Sequence, residues 1–315
     1  MPSNIKTTLS CKRRKARFFV LFLVVCSAIL RAQETPPTAP MVRQVLPPTN
    51  DPKEIVRRAL DVDQIDFSLA RNYTYEQRNE MKVLDRRGAV KKHEINTYDV
   101  MILYDEPYSR RIRKDDKPLT GKEERKEAEK LDKFVAERKN EDEKEHEKRL
   151  AKQEKDRQDE RAFVRDIINA YDFQMSGEEP VDGHDTYVVD ATPRKDFHPT
   201  QPHADILSKL RVKFWISKQD YGWVRLEAET LDTISWGFFL LRIHAGTRIR
   251  FEQTRVNDEI WLPRRLSLNA TARVALVANS ALDWESTFSN YKKFTSGARI
   301  LPGAAEVPPT ATSPR

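Results

Sequence analysis

Cysteine is absent from nearly all of this chain: Cys11 and Cys26 are the only two in 315 residues. A disulfide framework and a thiolate metal site are therefore excluded from everything beyond the first segment. Missing too is any apolar run of the roughly twenty residues that a transmembrane helix needs. An excess of positive charge is lacking wherever a nucleic acid would have to bind. The formal charge of +7 is carried by Lys6, Lys12, Arg13, Arg14, Lys15, Arg17 and Arg31, and the rest of the chain holds 49 basic and 49 acidic residues. A basic nucleic-acid footprint disappears once residues 1–33 are set aside. Nucleophile, base and orienter are not found together either, so catalysis has no sequence support and no cofactor is implied. Nine Gly with 18 Pro is not the composition of a wholly disordered protein, and one folded domain with appendages fits the length.

What is present begins with an export signal. Residues 1–17 are polar and basic, and Phe18–Leu30 is a thirteen-residue apolar run followed by Arg31-Ala32-Gln33. This is the layout of a secretory signal peptide over residues 1–32, cleaved after Ala32, and it points to a periplasmic protein. An uncleaved membrane anchor is the other reading of the same run, and the only route to membrane association. Residues 33–50 are a Pro-rich linker, with Pro36, Pro37, Pro40, Pro47 and Pro48 favouring an extended tether. From Pro52, Ile55, Val56, Ala59, Leu60 and Val62 recur at helical spacing, and a short amphipathic helix should end near Ile65.

Leu69–Asp85 alternates around Tyr73 and Tyr75, and Arg87-Gly88 turns the chain into a second long strand ending near Tyr104. Residues 107–114 add a third. Gly121–Arg161 breaks this pattern, because 29 of its 41 positions are charged. Its apolar residues hold no heptad, so a single solvated helix inserted between strands is expected. It is either a spacer or a contact for an envelope protein partner. Phe163, Val164, Ile167, Ile168 and Tyr171 then restore an apolar stripe that should dock on the sheet. After a strand at Thr186–Ala191 comes a loop with His198 and His203 near Asp190, Asp196 and Asp205. Pro199 and Pro202 keep that loop extended and no third His is near, so it reads as surface and not as a metal site.

From Leu210 to Phe294 apolar and polar residues alternate strand after strand, as in an antiparallel meander with one face turned to a core or cavity. Val212, Phe214 and Ile216 face away from Arg211, Lys213 and Trp215. Val224 and Leu226 alternate with Arg225 and Glu227. Residues 234–243 are apolar on both faces, either a covered strand or a short helix with Trp236, Phe239 and Leu240 inward. Phe251 follows on an alternating strand, and Trp284 and Phe288 share one face of the last. These eleven side chains are the candidate lining of a hydrophobic site. The tail, 296–315, is Pro/Ala/Thr-rich and should lack structure.

The order of parts resembles a known family. An exported chain with an amphipathic helix carries Tyr73-Thr74-Tyr75 on its first strand and Lys213-Phe214-Trp215-Ile216 in mid-chain. Asp258-Glu259-Ile260-Trp261-Leu262-Pro263 and Tyr291-Lys292-Lys293-Phe294 follow. This is similar to the outer-membrane lipoprotein-sorting family, with its LolA/LolB-like fold, over residues 51–295. The resemblance implies a mostly β domain: an incomplete antiparallel barrel covered by helices, with a concave apolar face that holds lipid or the acyl chains of lipoproteins. The charged insertion 121–161 is a departure from the compact carriers. Two functions therefore stand at this point, a non-catalytic carrier for a hydrophobic ligand and a membrane-tethered interaction or envelope-sensing module that uses the charged helix.

Overall fold

The computed structural model describes residues 47–85, 87–104, 106–201, 204–236, 241–274 and 280–294. The leader, most of the linker, His203, Phe239, Leu240 and the tail lie outside the described residues. Helix α1 (Pro52–Ala70) starts where the Asp51 carboxylate accepts the Lys53 N–H at 3.0 Å, with Pro52 preset for the first turn. Its buried stripe is Ile55, Val56, Ala59 and Leu60. The helix runs past the expected end near Ile65 because Asp66 accepts the backbone N–H of Trp261 at 3.1 Å and Ala70 packs on Tyr73, Ile260 and Leu262. Tertiary partners stabilise this last turn, which apolar periodicity alone does not mark.

Strands β1 (Tyr73–Leu84), β2 (Val90–Leu103), β3 (Glu106–Lys114) and the two-residue β4 (Lys117–Pro118) follow α1. The charged insertion is not the single helix expected. It forms α2 (Gly121–Lys139) and the start of α3 (Glu143–Ala170). The break has a local cause: Asp142 accepts the Glu145 N–H at 2.7 Å and so caps a new helix, while Arg149 holds Glu141 at 2.9 Å. Two further strands, β5 (Tyr171–Val181) and β6 (His184–Pro193), come next. β5 was not expected, because Gly177 and Pro180 interrupt its alternation and most of its side chains are exposed. A 3-10 turn (Ala204–Lys209) leads to β7 (Leu210–Ser217) and β8 (Trp223–Thr230). Residues 234–243, whose pattern fits strand or helix, contain two short paired strands, β9 (Ile234–Trp236) and β10 (Leu241–Ile243). β11 (Arg248–Val256), β12 (Ile260–Val274) and β13 (Ser280–Lys293) close the order. Asn257 and Asp258, both at positive φ (53° and 54°), turn β11 into β12 as expected.

All pairings are antiparallel, in the order β4-β3-β2-β1-β13-β12-β11-β8-β7-β6-β5, with β9 and β10 beside β12. The sheet is not closed: β4 and β5 remain as its ends. It bends strongly, because Arg264 on β12 reaches Asp182 in the β5–β6 turn at 2.6 Å. Between β12 and β6 the sheet order has three intervening strands, about 19 Å in a flat sheet. Helix α3 links the two sheet ends. Near its start Arg149 pairs with Glu106 of β3 at 3.2 Å, and at its end the Asp166 carboxylate accepts the backbone N–H groups of Thr200 and Gln201 at 3.0 and 3.1 Å, beside β5 and β6. A helix of 28 residues covers about 42 Å, enough for that span. The fold is thus mostly β, an open antiparallel sheet with helices laid on it, as the incomplete-barrel expectation has it.

The main core joins α1 and the end of α3 to one face of β5–β8, with Val189, Val212, Phe214, Ile216 and Trp223 beneath the helices. Arg58 ties α1 to the β7–β8 loop by donating to the Tyr221 hydroxyl at 2.8 Å. The opposite face carries the charges of the alternating pattern, including Arg250–Glu227 at 2.6 Å, Arg211–Glu229 at 2.7 Å and Arg113–Glu76 at 3.0 Å. At the bend that face also buries Val181, Val188, Trp215, Val224 and Trp261.

Two outcomes are expected. A Cβ added at Gly222 would stand 2.0 Å from the Trp261 indole, which is 2% exposed and donates to Asp220 at 3.0 Å. Gly222→Ala should therefore lower stability by about 1–3 kcal/mol in urea denaturation. The second concerns Asp63, whose carboxyl is raised to about 7 by burial and then by the neighbouring Asp66. A raised folded-state value makes its stabilising contribution complete below pH 4 and lost as pH climbs through 7. Asp63→Asn should raise Tm at pH 8 and leave it nearly unchanged at pH 4; an equal shift at both would rule out the titration.

Candidate functional site

The register places five of the eleven expected apolar side chains, Val212, Phe214, Leu226, Phe251 and Trp284, in two ladder rows on the helix-covered face. One row runs Met175, Val189, Phe214, Leu226, Phe251 and Leu266, strand by strand from β5 to β12. The neighbouring row runs Ala191, Val212, Ala228, Ile249, Leu268 and Trp284, and Met81 of β1 pairs with Trp284. Adjacent strands lie about 4.8 Å apart, so each row is a continuous apolar track. Ile216 lies on the same face beneath α1, and Phe288 lies there on β13, its ring 5.9 Å from Tyr75.

Val224 does not belong to this face. A register shift pairs Trp215 with Arg225 but Ile216 with Trp223, so Val224 turns to the other side and packs with Trp215 and Trp261. One extra residue at a bulge reverses the side of its neighbours. Trp236 ends β9, and Phe239 and Leu240 lie outside the described residues.

The two ends of the face differ in packing. Under α1 it is filled: Ile216 is fully buried and Phe214 is 3% exposed. The gap between α1 and β12 holds only about 10 Å³. The α1 side chains Ile55, Val56, Ala59 and Leu60 pack in one buried cluster with Phe214, Ile216 and Trp223. Towards β1 and β13 the face is less covered, with Met81, Val83, Ile249 and Trp284 half-buried around Leu268, Ala270 and Leu282. Polar side chains sit among them: Gln77 donates to Ser286 at 2.9 Å, and Ser286 donates to Asn79 at 2.6 Å.

Beyond this stretch, between α2 and strands β2–β3, lies a cleft of about 470 Å³. Its lining includes Tyr98, Tyr108, Arg111, Glu127, Lys130 and Phe134. Phe134 anchors α2 to β3 through the Tyr108 ring at 5.0 Å, and Arg138 pairs with Glu106 at 2.9 Å. Burial raises the Tyr98 hydroxyl above its ordinary range. No spacing signal pointed here, because the cleft joins a helix to strands that its own sequence pattern does not mention.

Three of the four motifs that carry the family resemblance meet in one place, where they tie strands together, while Lys213-Phe214-Trp215-Ile216 lies apart on β7. Tyr291 donates to the Pro263 carbonyl at 2.5 Å, and its ring lies 5.4 Å from Tyr75 and 6.4 Å from Tyr73. The Tyr73 hydroxyl donates to Glu259, which Lys293 holds at 2.7 Å. His198 is exposed on its loop. Among the described residues no group of three or more His, Cys, Asp or Glu could hold a metal ion, and no helix is long and apolar enough to cross a membrane.

The packing difference along the face is measurable. Phe214→Ala should cost about 3–5 kcal/mol, as for a fully buried aromatic. Trp284→Ala, at a half-buried position, should cost clearly less. Comparable losses in denaturant titrations would show that both ends of the face are equally sealed.

The sequence matches no family model and no curated protein. Solved structures do align with it. A DUF1329 family protein from Desulfovibrio piger has 13% identity over 79% of this chain and 96% of its own, at a TM-score of 0.30. A LolA superfamily protein from Nitrosomonas europaea has 11% identity over 78% and 94%, at 0.27. A domain assigned to outer membrane lipoprotein sorting in Vibrio parahaemolyticus has 12% over 78% and 95%, at 0.28. The solved structures to which the chain is similar thus include a DUF1329 family protein, a LolA superfamily protein and an outer membrane lipoprotein-sorting domain.

Proposed function

We propose that this chain is a non-catalytic binding or carrier protein of the periplasm, taking a lipid or the acyl chains of a lipoprotein. The observation that carries the reading is the half-buried apolar stretch at Trp284, Met81, Val83 and Ile249, continuous with the sealed rows under α1. An acyl chain laid there removes apolar surface from water at about 25 cal/mol per Å² and meets no buried charge. The sealed part gives that stretch a rigid floor, and α3 holds the two sheet ends in place around it.

The alternative, an interaction module acting through residues 121–161, draws support from the exposed ion pairs Lys152–Asp156 and Lys155–Asp159 on α3. Phe134, Arg138 and Arg149 fasten this segment to β3, which favours a covering element over a free arm.

Native mass spectrometry with lipid extraction, on protein exported to the periplasm and purified without detergent, tests the reading. Stoichiometric lipid or acylated peptide is expected, and Trp284→Asp should abolish it while far-UV circular dichroism stays unchanged. Reversing the charges of Lys152 and Lys155 should not affect it. An empty protein whose fluorescence ignores added acyl probes would sink the carrier reading.

A further inference from the structure

The cleft beneath α2 belongs to the same face as the apolar stretch. Phe288 pairs with Gln77, Gln77 with Tyr98, and Tyr98 with Arg111, so these four side chains form one cross-strand row from β13 to β3. Two strand spacings, about 10 Å, separate Phe288 from Tyr98. The row therefore runs from the Phe288 ring past the Gln77 amide to Tyr98 and Arg111 in the lining of the cleft.

Arg111 is incompletely satisfied. Its Nη1 donates to Asn96 at 3.2 Å, whereas Nη2 stands 3.7 Å from Glu127, too far for a hydrogen bond. Glu127 is already engaged by Lys130 at 2.5 Å. The Arg111 Nε is buried and has no hydrogen-bond partner among the described residues. Nε has no surface open to a ligand, so Nη2, which makes no hydrogen bond to Glu127, is the guanidinium donor that an anion in the cleft meets, and a charge-assisted bond to it is stronger than a neutral one. Tyr98, also in the lining, carries a hydroxyl that can donate, and Phe134 adds an apolar ring to the wall. At about 470 Å³ the cleft matches a head group and the first carbons of a chain.

We propose that the cleft between α2 and β2–β3 binds the anionic head group, carboxylate or phosphate, of an amphiphile whose tail lies on the adjoining apolar face. The tail part rests on the carrier reading; the head part rests on Arg111 and Tyr98 alone. α2, the inserted helix, then has the task of roofing the head-group pocket.

The test is calorimetric titration of the full chain with oleate, oleoyl lysophosphatidate and oleyl alcohol, which share a tail and differ in the head. At least one anionic probe should bind roughly tenfold or more tighter than the alcohol, as expected of charge-assisted hydrogen bonds. The tighter of the two identifies carboxylate or phosphate. Arg111→Gln should abolish the preference and leave oleyl alcohol unaffected, and Tyr98→Phe, a milder change, should reduce it by about threefold. Equal affinity for all three probes, or a preference that survives Arg111→Gln in a folded protein, overturns the head-group pocket and leaves the carrier reading standing. Arg111-dependent binding of the anions with none of the alcohol keeps the pocket and removes the apolar tail site. No binding of any probe overturns both.

Discussion

Pairing of Phe214 with Leu226 between β7 and β8 is the constraint on which the rest of the sheet depends. It sets the parity of side chains on both strands, and each neighbouring ladder carries that parity onward, to Val189 on one side and to Phe251 and Leu266 on the other. A slip of one residue would send Phe214 to the charged face and Lys213 or Trp215 under α1. Burial of the α1 stripe against this face is what makes the slip unfavourable, because it would set Lys213 against the fully buried Ile55 and Val56. The bulge beside Ile216 is absorbed locally, at the cost of moving one residue, Val224, to the other side.

From that parity the two surfaces acquire their separate characters. The charged face is laced with cross-strand ion pairs, each of small energetic weight in water, which keep it soluble and discourage a second layer. The helix-covered face is apolar but unevenly closed. α1 and the end of α3 seal the β5–β8 end, and the half-buried stretch near β13 grades into a polar pocket under α2. The proposed amphiphile site uses this gradient, with tail and head in different environments about two strands apart.

The charged insertion shows how an element with no apolar stripe is still held in a defined place. α2 contributes one aromatic anchor, Phe134, against Tyr108, and Glu106 collects both Arg138 and Arg149. These little-exposed pairs, with Arg149 also gripping Glu141 through two nitrogens, are more specific than the exposed i,i+4 lysine pairs along α3. Composition alone described this segment as solvated throughout, because the few residues that dock it are outnumbered by those that face water. Its break at Asn140–Asp142 was readable in principle, since Asp142 followed by Glu145 is a capping sequence within a charged run.

Sequence by itself determined the strand alternation of β7, β8, β11 and β13, the start of α1 at Asp51-Pro52, the turn at Asn257-Asp258 and the confinement of cysteine to the first 26 residues. These are local consequences of side-chain period, backbone propensity and composition, and they need no partner to be read. It also identified Val212, Phe214, Ile216, Leu226, Phe251, Trp284 and Phe288 as one set, because a period of two puts each on a predictable side of its own strand. Only the tertiary structure decided that Val224 leaves that set, that β5 is a strand, that α1 reaches Ala70, and which part of the face is sealed. Those outcomes hang on a bulge, on a hydrogen bond from Trp261 to Asp66 and on the path of α3 between the sheet ends. Each joins residues far apart in the chain, so no local pattern records it. The cleft at Arg111 is of the same kind: its arginine, its tyrosines and its roofing helix become neighbours only once the sheet is assembled.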